Sequence, residues 1–148
     1  MAIKIPTIKN TVSKSLINTI PDGRSEKDTL KRYAILKQEL NKHRDMFYYN
    51  CSLLADVQIT GKGINENLHH ASKSKKSTIA ALNLRTIIEK AVFVKMDKPK
   101  LGRQTKAFKF DIVFVLAVNV ETIGNIKLTV GYTRKENLLH YCISEFHM

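Results

Sequence analysis

Acidic residues are scarce in this chain: 13 Asp and Glu stand against 25 Lys and Arg, a formal net charge of +12. So large a deficit points to a polyanionic partner, either nucleic acid or an anionic surface. Cysteine is scarcer still. Cys51 and Cys142 lie far apart, in no CxxC and no zinc spacing, which excludes a standard structural zinc site and fits two reduced thiols. No apolar run approaches the ~18 residues of a membrane span. The longest, Ile112 to Val118, reads as a buried strand. Lys4, Lys9 and Lys14 interrupt the first 20 residues, so no signal-peptide core forms there, and a cytoplasmic protein without a membrane partner is expected. Internal repeats and low-complexity tracts are missing. So are the P-loop, the dinucleotide glycine motif, GxSxG and HExxH. Their absence excludes a nucleotidase, oxidoreductase, serine hydrolase or zincin of standard pattern.

What remains is ordinary globular material. At 148 residues and 43% hydrophobic, the chain can bury a core without disulfides, as one domain with a short appendage. Pro21-Asp22-Gly23 signals a turn. Ser25 with Asp28 three residues later resembles a capping box and opens a helix from about Glu26 to His43. Its apolar face is Leu30, Tyr33, Ala34, Ile35, Leu36 and Leu40, with basic residues opposite. Met46 to Leu54 continues that helix or starts a strand, and its Phe47, Tyr48 and Tyr49 read as core rather than as a base-stacking platform.

Val57 to Ile59 is β-prone. Ile64 to His70 reads as a short helix, with Ile64 and Leu68 facing inward at i and i+4. Ala71 to Lys76 reads as a lysine-rich loop, and Ser77 to Lys90 as a further helix. Strands are then expected at Val92 to Val94, at Phe108 to Glu121 and at Ile126 to Thr133, where the alternation is clean, with a last one at Leu138 to Phe146. Asp97 to Gly102 and Lys135 to Asn137 separate them. Ile123-Gly124-Asn125 reads as a hairpin turn with Gly124 and Asn125 at positive φ. The pattern predicts an α+β fold, with N-terminal helices packed on one face of an about four-stranded antiparallel β-sheet. It also suggests a division into an N-terminal helical extension, residues 1–56, and a domain over 57–148.

The basic excess concentrates in one tract. From Lys73 to Lys109 there are 11 Lys or Arg and two acids, Glu89 and Asp97. Lys73, Lys75, Lys76, Lys98, Lys100, Arg103 and Lys106 are therefore candidate phosphate contacts. If they converge, binding to nucleic acid, RNA foremost, will depend strongly on salt.

Three blocks in fixed order carry a family resemblance. The first is Gly61-Lys62-Gly63-Ile64-Asn65-Glu66-Asn67-Leu68-His69-His70. The second is Ala80-Ala81-Leu82-Asn83-Leu84 with Ile88-Glu89-Lys90-Ala91-Val92-Phe93-Val94. The third is Ile126-Lys127-Leu128-Thr129-Val130 with the strand through His140-Tyr141. Over Val57 to Ser144 the chain resembles the third large polyvalent protein-associated domain family, of the BECR (barnase-EndoU-colicin-RelE) nuclease-like group. The resemblance implies a helix-plus-sheet fold, RNA cleavage, and a home in phages or mobile elements, as a toxin-like protein with an antitoxin or parent-element protein as partner. It matches His70, with His69 beside it, to the histidine that ends the first short helix, and Lys127 to the basic residue of the penultimate strand. His140-Tyr141-Cys142 departs from the aspartate and histidine often found together in the family's last strand.

The residue types suit metal-independent cleavage by attack of the ribose 2′-OH on its own phosphate, with no cofactor and no metal. His70 or His69 would serve as one proton-transfer group and His140 as the other, because imidazole titrates near neutral pH. Lys127 and Lys73 would stabilise the phosphoryl oxygens, and Thr129 would help to position them. Neighbouring helical residues point ~100° apart, so His69 and His70 cannot share one task. His43 and His147 read as surface residues. The alternative is a non-catalytic nucleic-acid-binding or protein-interaction module on the same fold.

Overall fold

The computed structural model describes residues 4–97 and 111–134, and the backbone alone of 138–146. In chain order the elements are β1 (Thr7–Ile8), α1 (Lys14–Thr19), α2 (Glu26–Leu40) with a 3-10 turn at Asn41–His43, β2 (Phe47–Asn50) and β3 (Ala55–Ile59). There follow α3 (Gly61–Ala71), α4 (Lys75–Leu82), α5 (Leu84–Lys90), β4 (Val92–Asp97), β5 (Ile112–Val120), β6 (Gly124–Thr133) and β7 (Leu138–Phe146). The α+β class expected from the sequence holds. The sheet is larger than expected and mixed: seven strands in the order β1-β5-β6-β7-β3-β2, with β4 also on β5.

β4 to β7 form the expected antiparallel meander. β5 is central, flanked by β6 on one edge and by β1 and β4 on the other. The enlargement comes from the first part of the chain. β1 pairs parallel with β5, β3 pairs parallel with β7, and β2 closes the far edge on β3. A parallel partner arrives from far along the chain, so no local turn signal announces it.

Alternation decides the faces. Leu116, Val118 and Val120 of β5 and Ile126, Leu128 and Val130 of β6 are buried on one face. There they share a single core with Leu36 and Leu40 of α2, Ile64 and Leu68 of α3, Ala80 and Ala81 of α4, and Leu84, Ile87 and Ile88 of α5. α3 lies on β7, and α2 packs against α3 and α4.

Four local expectations change. In α2 the buried row is Arg32, Leu36 and Leu40, at i, i+4 and i+8, while Leu30 is 61% exposed. The lysine-rich loop shrinks to the three residues between α3 and α4. The helix expected over Ser77 to Lys90 breaks at Asn83. There the Asn83 amide donates to the Ile79 carbonyl (2.9 Å) and to Asn10 Oδ1 (3.1 Å), and its Oδ1 accepts from the backbone N–H and hydroxyl of Thr11. Such a side chain competes with the helix backbone for hydrogen bonds. The β5–β6 hairpin turns at Glu121 to Ile123, because Val120 already pairs with Gly124. Thr122 (φ 65°) and Gly124 (φ 131°) take the positive φ, whereas Asn125 is already in the strand.

Candidate nucleic-acid interface

Among the described residues, the α3–α4 junction carries three lysines within four positions, Lys73, Lys75 and Lys76. Thr60 caps α3 by accepting from the Gly63 N–H (3.0 Å). Gly63, Ile64, Asn67, Leu68 and Ala71 then face inward, which leaves His69 and His70 exposed in the last turn. The two rings part company. His69 packs on Tyr33 of α2, with ring centroids 5.3 Å apart. His70 faces solvent.

The connection is held from both sides. Ser74 and Ser77 form a capping box for α4. The Ser77 and Thr78 hydroxyls both donate to the Ala71 carbonyl, at 2.6 and 3.0 Å. From beneath, fully buried Arg32 donates to the carbonyls of Ser72 (2.7 Å) and Lys73 (3.3 Å), as well as to Pro21, Gly23 and Thr29. A guanidinium offers five N–H groups, enough to serve five acceptors without a carboxylate.

Lys73 and Lys76 are exposed and Lys75 is half-buried at the start of α4, whose first turn holds no acid. Three ion pairs occur among the described residues: Lys42–Glu39, Arg85–Glu89 and Lys95–Asp97. None involves the junction. Lysines at a helix N-terminus oppose its macrodipole, and an anion bound there satisfies both.

Lys127 and Thr129 belong to a different surface. They alternate with buried Ile126, Leu128 and Val130, so they lie on the sheet face turned away from α3. Lys95 shares that face, since its position pairs with Val115 and Val115 with Thr129. The backbone of His140 pairs with Gln58 on one side and Gly131 on the other; its side chain lies outside the described residues, as do Lys98, Lys100, Arg103, Lys106 and His147. The α3–α4 junction therefore carries His70, Lys73, Lys75 and Lys76 in one short stretch of chain, with His69 turned to Tyr33. Lys127 and Thr129 stand on the other side of the sheet.

Two features escaped the sequence reading. The first is a cluster around His43 and Tyr48. The Tyr48 hydroxyl and His43 Nδ1 share a 2.6 Å hydrogen bond, and the Arg85 guanidinium sits 5.1 Å above the Tyr48 ring while pairing with Glu89. Burial, then the Arg85 charge, holds the His43 imidazole below its ordinary pKa. Burial pushes the Tyr48 phenol up. Residues 43, 48 and 85 come from three separate elements, and no spacing links them. The second is Asn67, which is buried with neither amide atom hydrogen-bonded among the described residues. Its i+3 placement after Ile64 on the buried face was a readable signal.

Among the described residues no three His, Cys, Asp or Glu side chains gather as a metal cage, and no helix is long and apolar enough to cross a membrane. A family model described as Large polyvalent protein-associated domain 3 matches residues 6–141. No curated protein and no solved structure matches the chain.

Proposed function

We propose, for a chain that belongs to the Large polyvalent protein-associated domain 3 family, that it is a nucleic-acid-binding domain acting on RNA. The corner formed by His70, Lys73, Lys75 and Lys76 holds the phosphate backbone. One observation carries the reading. Lys73, Lys75 and Lys76 gather at the N-terminus of α4 with no ion-paired carboxylate among the described residues, in a chain of formal charge +12. Phosphate is the anion that satisfies both the lysines and the helix end.

A second reading adds chemistry to the binding. The exposure of His70 beside Lys73 favours metal-independent ribonuclease activity. His70 would transfer a proton and Lys73 would stabilise the phosphoryl oxygens. Lys127, on the opposite sheet face, would not join that step. A toxin-like role in a mobile element, with an antitoxin as partner, belongs to this second reading.

The test is labelled total RNA with the purified protein in EDTA, beside His70→Ala and the pair Lys73→Ala/Lys76→Ala. Salt-sensitive binding that the lysine pair weakens supports the first reading. Cleavage that His70→Ala abolishes without loss of binding adds the second. Binding that is absent, or indifferent to salt, overturns both.

A further inference from the structure

β2 is the edge strand of the sheet, and its three aromatic residues divide between its two faces. Tyr48 and Asn50 point into the core, where the Asn50 amide donates to the Ile88 and Ala91 carbonyls at 2.7 and 2.9 Å. Phe47 and Tyr49 therefore stand on the face that α2 to α5 leave uncovered. They are 49% and 48% exposed, a large solvent-facing aromatic area on neighbouring positions of one face. The expectation that all three aromatics are core holds for Tyr48 alone.

Exposed rings on an edge strand suit either an added protein strand or a row of nucleic-acid bases. The edge itself argues against the first. The Ile59 N–H bonds the Met46 carbonyl, and the alternation that follows turns the main-chain groups of Phe47 and Tyr49 outward. That outward stretch is short. At one end the Met46 N–H is taken by the His43 carbonyl, next to a kink at Asp45 (φ 65°). At the other, the Cys51 N–H is taken by Glu89 at the end of α5. A bulge and a helix closing so brief an edge are devices that prevent strand addition.

Spacing and charge argue for the second. Residues i and i+2 of a strand lie about 6.8 Å apart on one face. That is roughly twice the 3.4 Å rise of stacked bases in a duplex strand, so the rings suit bases drawn apart in a single strand. At the Phe47 end of the β2–β3 pair, the exposed Arg44 guanidinium lies over Gly61, so close that a Cβ there would meet its Cζ at 2.8 Å. Exposed Lys62 follows. Opposite the rings stand Gln58 and Asp56, an amide and a carboxylate within reach of base edges.

We propose that Phe47 and Tyr49 are a stacking platform for two successive bases of single-stranded RNA, with Arg44 and Lys62 receiving its phosphates. The proposal rests on the nucleic-acid reading above and narrows it to unpaired RNA. Aromatic stacking is tolerant of sequence, because every base has a π-face.

The experiment uses the full chain and three labelled probes: a 2′-O-methyl oligouridylate, which 2′-OH attack cannot cleave, its abasic analogue, and a 2′-O-methyl duplex of equal length. The wild type should bind the oligouridylate at least about 25-fold more tightly than either comparator, each ring contributing roughly 5- to 150-fold. Phe47→Leu/Tyr49→Leu should bind all three probes alike. The exchange Phe47→Tyr/Tyr49→Phe, which keeps both rings, should bind as the wild type does. A Leu variant that folds and keeps the full preference for unpaired bases overturns the platform and leaves phosphate binding intact. So does a wild type that binds base-bearing and abasic strands equally. A wild type that binds none of the probes overturns the nucleic-acid reading as well. A Leu variant changed in oligomeric state but not in oligonucleotide affinity would make the rings a protein-docking surface and overturn the stacking role.

Discussion

The Nε of Arg32 donates to the carbonyl of Ser72 at 2.7 Å, and this bond ties the buried row of α2 to the turn that carries Lys73. The same guanidinium holds Pro21 and Gly23 ahead of the helix. One side chain thus ties together two connections, the one ahead of α2 and the one between α3 and α4.

Arg32→Met should destabilise the fold by about 3 kcal/mol or more, because one buried and several part-buried acceptors lose their donor at once. Arg32→Lys should recover little of the loss, since an ammonium cannot span the positions of a planar fork. Urea unfolding of both variants checks this. A loss under 1 kcal/mol in Arg32→Met would show that water replaces the guanidinium.

Asn67 predicts the opposite sign. Its amide is buried on the inward face of α3 without a partner among the described residues. A buried unsatisfied polar group costs about 1–3 kcal/mol. Asn67→Leu, which keeps the branching and heavy-atom number but is apolar, should raise the unfolding free energy by about 1 kcal/mol. A clear drop in thermal midpoint would mean that the amide has a partner in solution.

His43 sets a pH dependence. Its folded pKa lies below the ordinary 6.5, through burial first and then the Arg85 charge, with Lys42 acting in the same direction and Glu39 opposing. A depressed histidine stabilises the fold above its unfolded pKa, and that stability is lost as pH falls through the folded value. Denaturant midpoints should therefore decline below about pH 6.5. Arg85→Gln should move the His43 titration, followed by NMR of the ring, upward toward 6.5. An unmoved titration would leave burial and the Lys42 charge as the causes.

Lys73→Ala/Lys76→Ala should flatten the salt dependence of RNA binding. Each phosphate contact contributes about 0.7 to the slope of log K against log salt for a single strand. Losing two should reduce the slope by about 1.4, measured by fluorescence anisotropy across a salt series. An unchanged slope would place the phosphate contacts elsewhere.

Much of the helical framework was legible in the chain. Ser25 starts α2 as its N-cap, accepting from the Asp28 N–H, and Ile64 and Leu68 are inward as their spacing requires. The β4 to β7 meander was legible too, because alternation and turn residues are local signals. Less of the site was legible. The histidines and lysines of the α3–α4 junction are neighbours in sequence and stay neighbours in space. Lys127 looked like their companion, and only its alternation with buried Ile126 and Leu128 reveals the opposite face.

The sequence by itself determined the class of the fold, the sign of the surface charge and the membership of the core strands. Each depends on composition or on a period of a few residues. Tertiary structure decided that β1 and β3 complete the sheet in parallel, that Arg32 is buried while Leu30 is not, and that Phe47 and Tyr49 face outward while Tyr48 meets His43. These outcomes depend on which distant segments meet. A local period sorts side chains into two faces, but only packing settles which face is covered.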